Sequence, residues 1–320
     1  MNLKILLISL LINVCAYSAT TVFINEVMPG NIDVLIDDIN EFPDSWVELY
    51  NPADAPVDII GWYVSDDISN RRKWKIDTSL VIPAKGHVLL YLDEYDTLQL
   101  HANFKLDIDG GALFLTGTDG ITTSDSIIYQ KMTPNLSYGR TTDGGSKLEW
   151  FRKGTPGNSN NASYSVENNQ IAPIPRFSIP AGVYNGPVSV SLSLPSGFTG
   201  LKIYYTIDGS EPDELSSVYM APLAFPTSTT IRAKVIDTSY LPRPSTTQSY
   251  IITERELTLP VLSITTDTSY LFDPGYGIFV WGEEYTSKYS EENEDHKFRK
   301  YSNLSHNWRR PVNIEYFDGN

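Results

Sequence analysis

Carboxylates are the residues of this chain best equipped for chemistry, and they crowd toward its start. No lysine or arginine occurs between Lys4 and Arg71, while Glu26, Asp33, Asp37, Asp38, Glu41, Asp44 and Glu48 accumulate there. Clustered carboxylates are hard oxygen ligands, so the loop carrying Asp33, Asp37, Asp38 and Asp44 is a candidate calcium site. The alternative is a solvated acidic loop that keeps the protein in solution. Asp107-Ile-Asp-Gly begins like a calcium loop, but no third acid or bidentate glutamate follows at the required spacing. Glu26 and Glu48 lie in alternating segments and could meet as an acid/base pair, although alternation favours solvent-facing positions for both.

Other chemistries find less support. Gly275-Tyr-Gly277 could bring backbone N–H groups to a phosphate, but Val280 stands where a dinucleotide loop needs glycine. These glycines read as a turn. Gly-x-Ser-x-Gly and His-Glu-x-x-His are both absent, and His296 and His306 are too isolated to argue for a metal site. The candidate site list therefore holds no catalytic residue. Tyr204 and Tyr205 are adjacent in a strand-like run and must point to opposite faces, so one could stack on a sugar ring; packing against a neighbouring module is the alternative.

These residues sit in segments with a strong strand signature. Val22-Phe-Ile-Asn-Glu-Val-Met and Ser45-Trp-Val-Glu-Leu-Tyr alternate with period two, the mark of strands with one buried face. Short runs such as His87-Val-Leu-Leu-Tyr, Ala112-Leu-Phe-Leu and Asp125-Ser-Ile-Ile-Tyr follow, separated by Gly, Pro, Asn or Asp. No stretch carries a sustained helical repeat. Spaced short strands imply an antiparallel sandwich or barrel. Further on, Val188, Val190, Leu192 and Leu194 alternate with three serines, Asp208-Gly209 signals a hairpin, and Thr229-Thr-Ile-Arg-Ala-Lys-Val alternates again. The Asn/Ser-rich stretch from Asn158, followed by Pro173 and Pro175, marks a boundary by composition.

Three resemblances sharpen this division. Ile24-Asn-Glu-Val, Trp46-Val-Glu-Leu-Tyr-Asn-Pro, Val57-Asp-Ile-Ile-Gly-Trp, Ile82-Pro-Ala-Lys-Gly-His and Thr155-Pro-Gly-Asn resemble successive motifs of the lamin-tail domain. That resemblance implies an immunoglobulin-like sandwich; nothing resembles a lamin rod, so filament formation does not carry over. Phe177-Ser-Ile-Pro-Ala-Gly-Val-Tyr and Ile203-Tyr-Tyr-Thr-Ile-Asp-Gly-Ser-Glu-Pro resemble the β-domain that follows chitobiase and hexosaminidase barrels. In those enzymes the domain carries no catalytic residue. Leu259-Pro-Val-Leu-Ser-Ile, Leu271-Phe-Asp-Pro, Gly277-Ile-Phe-Val and Trp308-Arg-Arg-Pro-Val resemble the opening of the spore-coat kinase-like family typified by CotH. The family's nucleotide and metal residues have no counterparts here, so ATP and magnesium are implied only if a complete kinase-like domain follows.

The expected class is all-β: tandem immunoglobulin-like sandwiches at 19–164 and 176–254, a linker at 165–175, and an incomplete β-rich segment at 255–320. Within that last segment three strand pieces are expected, Val261–Ile264, Ile278–Val280 and Val312–Tyr316. Glu283 to Lys300 reads as a charged surface insertion, and the last segment is expected to stay loosely attached. Residues 1–18 read as a signal peptide, with Lys4, the apolar Ile5–Val14 and the small residues of Ala16-Tyr-Ser18. The single cysteine, Cys15, lies inside it. Cleavage would leave a mature chain with no thiol and no membrane-spanning segment; Cys15 as a lipid-attachment site is disfavoured by the bulk of Val14.

The formal net charge of −15 repels phosphate backbones and anionic lipid, so nucleic acid is a poor partner. The functional expectation is an exported bacterial, monomeric, non-catalytic module protein that meets protein or glycan at the cell surface. Two alternatives stand beside it: the front of a secreted phosphotransfer enzyme, and a carbohydrate-binding accessory protein.

Overall fold

A computed structural model describes residues 22–283, 302–306 and 308–318. The expected signal peptide at 1–18 and most of the charged insertion, with His296, lie outside the described residues. Within them the chain is almost entirely β, arranged as two sandwiches and a smaller strand pair.

The first sandwich faces a seven-stranded sheet against a four-stranded one. The large sheet runs Ser165–Val166, Leu148–Phe151, Ser137–Arg140, Phe23–Met28, Ser45–Tyr50, His87–Leu92 and His101–Ala102, in that spatial order. The small one runs Thr123–Gln130, Gly110–Thr116, Tyr63–Ser65 and Trp74–Lys75. Ile24, Val27, Val47, Leu49 and Leu90 of the first meet Val64, Leu113, Leu115 and Ile127 of the second in one core.

The alternation of the first strand is broken on purpose. Ile24 pairs with Leu49 and Glu26 with Glu48, so Asn25 is an extra residue bulged out of the ladder. The bulge shifts the phase by one. Ile24 and Val27 both point into the core, while Asn25, Glu26 and Met28 share the outer face with Glu48 and Trp46. Gly139 lies opposite Glu26, and a Cβ there would strike the Asn25 carbonyl oxygen, so the neighbouring strand can follow the bulge only through glycine.

The second sandwich sets a five-stranded sheet, Gly182–Tyr184, Thr246–Ile252, Thr229–Val235, Ile203–Thr206 and Ser217–Val218, over two strand pairs. Its core holds Val188, Val190, Leu192, Ile231, Ala233 and Tyr250, as the alternation predicts. Asp208-Gly209 does not close a tight hairpin. Asp208 accepts the N–H and hydroxyl of Ser210 and Gly209 has φ +89°, so the pair opens a longer loop before Ser217–Val218.

The stretch 165–175, expected to be a free linker, is built into both neighbours. Ser165 and Val166 extend the first sheet, and the Ala172 and Leu241 backbones are joined through Ala172 N–H to Leu241 O at 3.0 Å. Leu241, from a loop of the second sandwich, packs with the first core at only 2% exposure. Composition registers the solvent affinity of Asn and Ser side chains; it does not register these backbone hydrogen bonds.

The last segment also departs from expectation. Val261–Thr265 and Asn313–Phe317 pair antiparallel, but no strand forms at 278–280. Asp267 caps a short helix, Thr268–Phe272, and the Ile278 and Phe279 N–H groups go back to the Tyr270 and Leu271 carbonyls, which removes them from any ladder. Nor do its described residues hang loose, because their side chains reach both sandwiches. Tyr270 donates its hydroxyl to Asp33 Oδ2 at 2.7 Å and Trp308 donates to the Asn40 carbonyl at 3.0 Å. Glu315 accepts the N–H and hydroxyl of Ser249. Among the described residues no helix is long and apolar enough to cross a membrane.

Candidate functional site

The outer face of the large sheet gathers two polar clusters, both largely buried, with Asp38 of the second reaching solvent. The first is built on the bulge. Glu26 and Glu48 are fully buried, which corrects the expectation that both face water. The covering layer is the 154–160 segment. Glu26 accepts from the Ser137 hydroxyl and from the N–H and hydroxyl of Thr155. Glu48 accepts from Asn25 Nδ2 at 2.9 Å and from the Gly157 N–H at 2.7 Å. Gly157 has φ +75°, the left-handed conformation that glycine enters without penalty, and that turn aims its N–H at the carboxylate.

Burial pushes both carboxyls up, Glu48 to about 8. Asp143, beside them, is also raised by burial, but hydrogen bonds from the Asn160 N–H and Asn25 Nδ2 win and hold it low. His87 Nε2 lies 3.3 Å from Asp143 Oδ2 and 3.9 Å from Glu48 Oε1. Two acids with different protonation would suit acid/base work, but the covering segment fills the space where a substrate would sit. The cluster is a lock that fastens 154–160 onto the sheet.

The second cluster lies at the other end of the face. His101 is fully buried at the sheet edge, tilted against the Tyr91 ring at 4.8 Å. Its Nδ1 is 2.8 Å from Asp93 Oδ2 and its Nε2 is 3.0 Å from Asp38 Oδ1. Burial lowers the imidazole pKa, but the hydrogen bonds to Asp93 and Asp38 overturn this and hold it up at about 9. Burial raises the Asp37 carboxyl. One ligand atom each from Asp37, Asp93 and His101 lie within 4.8 Å of one another.

The structure thus disperses the acids expected to hold calcium. Asp33 is taken by Tyr270 and by Asn135 Nδ2, and Asp44 lies 3.7 Å from the Lys105 ammonium at the surface. Asp37 and Asp38 turn toward His101 instead. No sequence pattern joins Asp93 and His101 to this loop, because His101 is 63 positions from Asp38 and neither belongs to a ligand-spacing motif. Asp107 and Asp109 serve a local turn and the Lys131 ion pair. Of the two tyrosines, Tyr205 packs against the second core, while Tyr204 lies opposite Lys234 and Val218 and is half-buried.

Family comparison divides the chain along the same lines. The family model of the Lamin Tail Domain matches residues 16–131, and that of the Chitobiase/beta-hexosaminidase C-terminal domain matches residues 179–248. The chain carries both domains. No curated protein matches it. The lamin tail match stops before Ser137–Arg140, so the strands that cover and extend the Glu26 face lie past it. In the chitobiase-type domain, Arg232 and Lys234 are both paired with Glu211, which ties its central strand to the long loop after Thr206.

Proposed function

We propose that this chain is the non-catalytic β-module region of an exported, CotH-like multidomain protein, secreted or held at the bacterial cell surface. The lamin tail and chitobiase-type domains form a platform on which the segment from Leu259 onward is seated. The observation that carries this reading is the inverted polarity of the last strand pair. Its inner side rests on the platform through polar groups, Glu315 and Ser263 against Ser249. Its outer side presents Leu262, Ile264, Ile314 and Tyr316, each 56–61% exposed. A two-stranded sheet with an apolar outer face needs a covering layer, and a kinase-like domain continuous with these strands supplies one. The platform itself contributes binding surface for protein or glycan.

The test is made on protein recovered from the producing cells. That protein should be found outside the cytoplasm and begin at Ala19, while residues 19–320 produced on their own should turn over neither ATP with magnesium nor chitooligosaccharide. Retention in the cytoplasm with residues 1–18 attached would overturn the export reading. Turnover of either substrate, surviving a second purification step, would overturn the non-catalytic one.

A further inference from the structure

Asp37 holds an oxygen that nothing in the fold explains. Its Oδ1 accepts the Ile39 and Glu41 N–H groups at 3.0 and 2.8 Å, which shapes the acidic loop. Its Oδ2 is buried and accepts no hydrogen bond, and the residue as a whole is only 8% exposed. A buried carboxylate oxygen without a donor is destabilising, and a bound cation is one thing that would satisfy it. His101 supplies a nitrogen ligand beside it. Both of its ring nitrogens face carboxylate oxygens, Asp93 on one side and Asp38 on the other. A ring protonated at both nitrogens donates to both carboxylates, and a divalent cation can take the place of the proton on the Asp93 side.

We propose that Asp37, Asp93 and His101 bind one divalent transition-metal ion of the zinc class. The ion takes the Asp37 oxygen that lacks a donor and the ring nitrogen on the Asp93 side. The opposite N–H stays on Asp38, the arrangement in which a carboxylate orients a metal-binding histidine. Two carboxylates and one imidazole suit zinc or its neighbours, whereas calcium asks for six to eight oxygens. Asp93 also lines an open cleft of about 400 Å³ with Asn31, Phe42, Lys105 and Trp308, which gives the ion a way in. Bound there, the ion would join the acidic loop to the sheet edge. That loop carries Asp33, Asn40 and Glu41, which receive Tyr270, Trp308 and His306 of the last segment.

Zinc titration of the chelator-treated full chain by calorimetry tests this. One ion per chain should bind, with a rise in melting temperature. Asp37→Asn keeps the Oδ1 acceptor for Ile39 and Glu41 and should lower affinity at least tenfold without changing the far-ultraviolet circular dichroism. His101→Gln should lose binding as well, while Asp96→Asn, exposed and outside the group, should bind as the wild type does. Absence of stoichiometric zinc binding in the wild type overturns the proposal. So does wild-type affinity in Asp37→Asn, or a preference for calcium over zinc.

Discussion

Glu26 and Glu48 stand directly opposite each other on adjacent antiparallel strands, both fully buried, and each is capped by a different part of the 154–160 segment. Two carboxylates in such a place cannot both be ionised cheaply. Protonation of one of them therefore favours the closed cover.

That preference gives a pH dependence with a definite sign. Glu48 ionises near its ordinary value of 4.5 in the unfolded chain and at about 8 in the fold. Between those limits the unfolded chain gives up a proton that the folded chain keeps, so this residue's contribution to stability falls as pH rises. Glu48→Gln mimics the protonated acid and removes the dependence. Its melting temperature relative to wild type should therefore climb between pH 5 and pH 8, by on the order of 1.4 kcal/mol of stability per pH unit at most. Parallel curves for the two proteins across that range would contradict this.

The bulge at Asn25 makes its own prediction. Gly139→Ala puts a methyl group against the Asn25 carbonyl and the Glu26 Cα, both backbone atoms that cannot step aside. Overpacking of this kind costs about 1–3 kcal/mol. Gly186→Ala, with no atom near its added Cβ, should stay within about 0.5 kcal/mol of wild type in the same urea titration. Equal midpoints for the two variants would mean that the bulge is not held by close approach.

These residues also show what the sequence could and could not convey. Val188, Val190 and Leu192 were legible because an unbroken strand converts alternation directly into faces. Glu26 was not, because one bulged residue inverts the parity of everything after it and leaves no mark on composition. The expectation of solvent exposure for Glu48 failed for another reason: the layer that buries it comes from Gly157, 109 positions away. The Asp37–Asp93–His101 group was half visible. The acids of the loop stand out by their density in the sequence, but the histidine that draws two of them away from a common calcium site arrives only with the sheet order.

Leu241 couples the two sandwiches, and its removal should uncouple them. Leu241→Ala deletes a side chain buried with the first core, a change that costs about 2–5 kcal/mol at comparable sites. In limited proteolysis the wild-type chain should resist cutting between Val166 and Ala172, and the variant should be cut there first. A wild-type chain cleaved in that interval as fast as the variant would show that the stretch is a free linker after all.

The central claim is that the two sandwiches seat the segment that follows them, and amide hydrogen exchange on the full chain measures it most directly. The Ser249 N–H is donated to the Glu315 side chain at 3.1 Å, across the boundary between the platform and the last strand pair. The account predicts slow exchange for Ser249 and for the ladder amides of 261–265 and 313–317, with Ser249 speeding up at least tenfold in Glu315→Ala. Exchange of 313–317 at the rate of an unstructured chain in the wild type, or a Ser249 amide indifferent to Glu315, would contradict it.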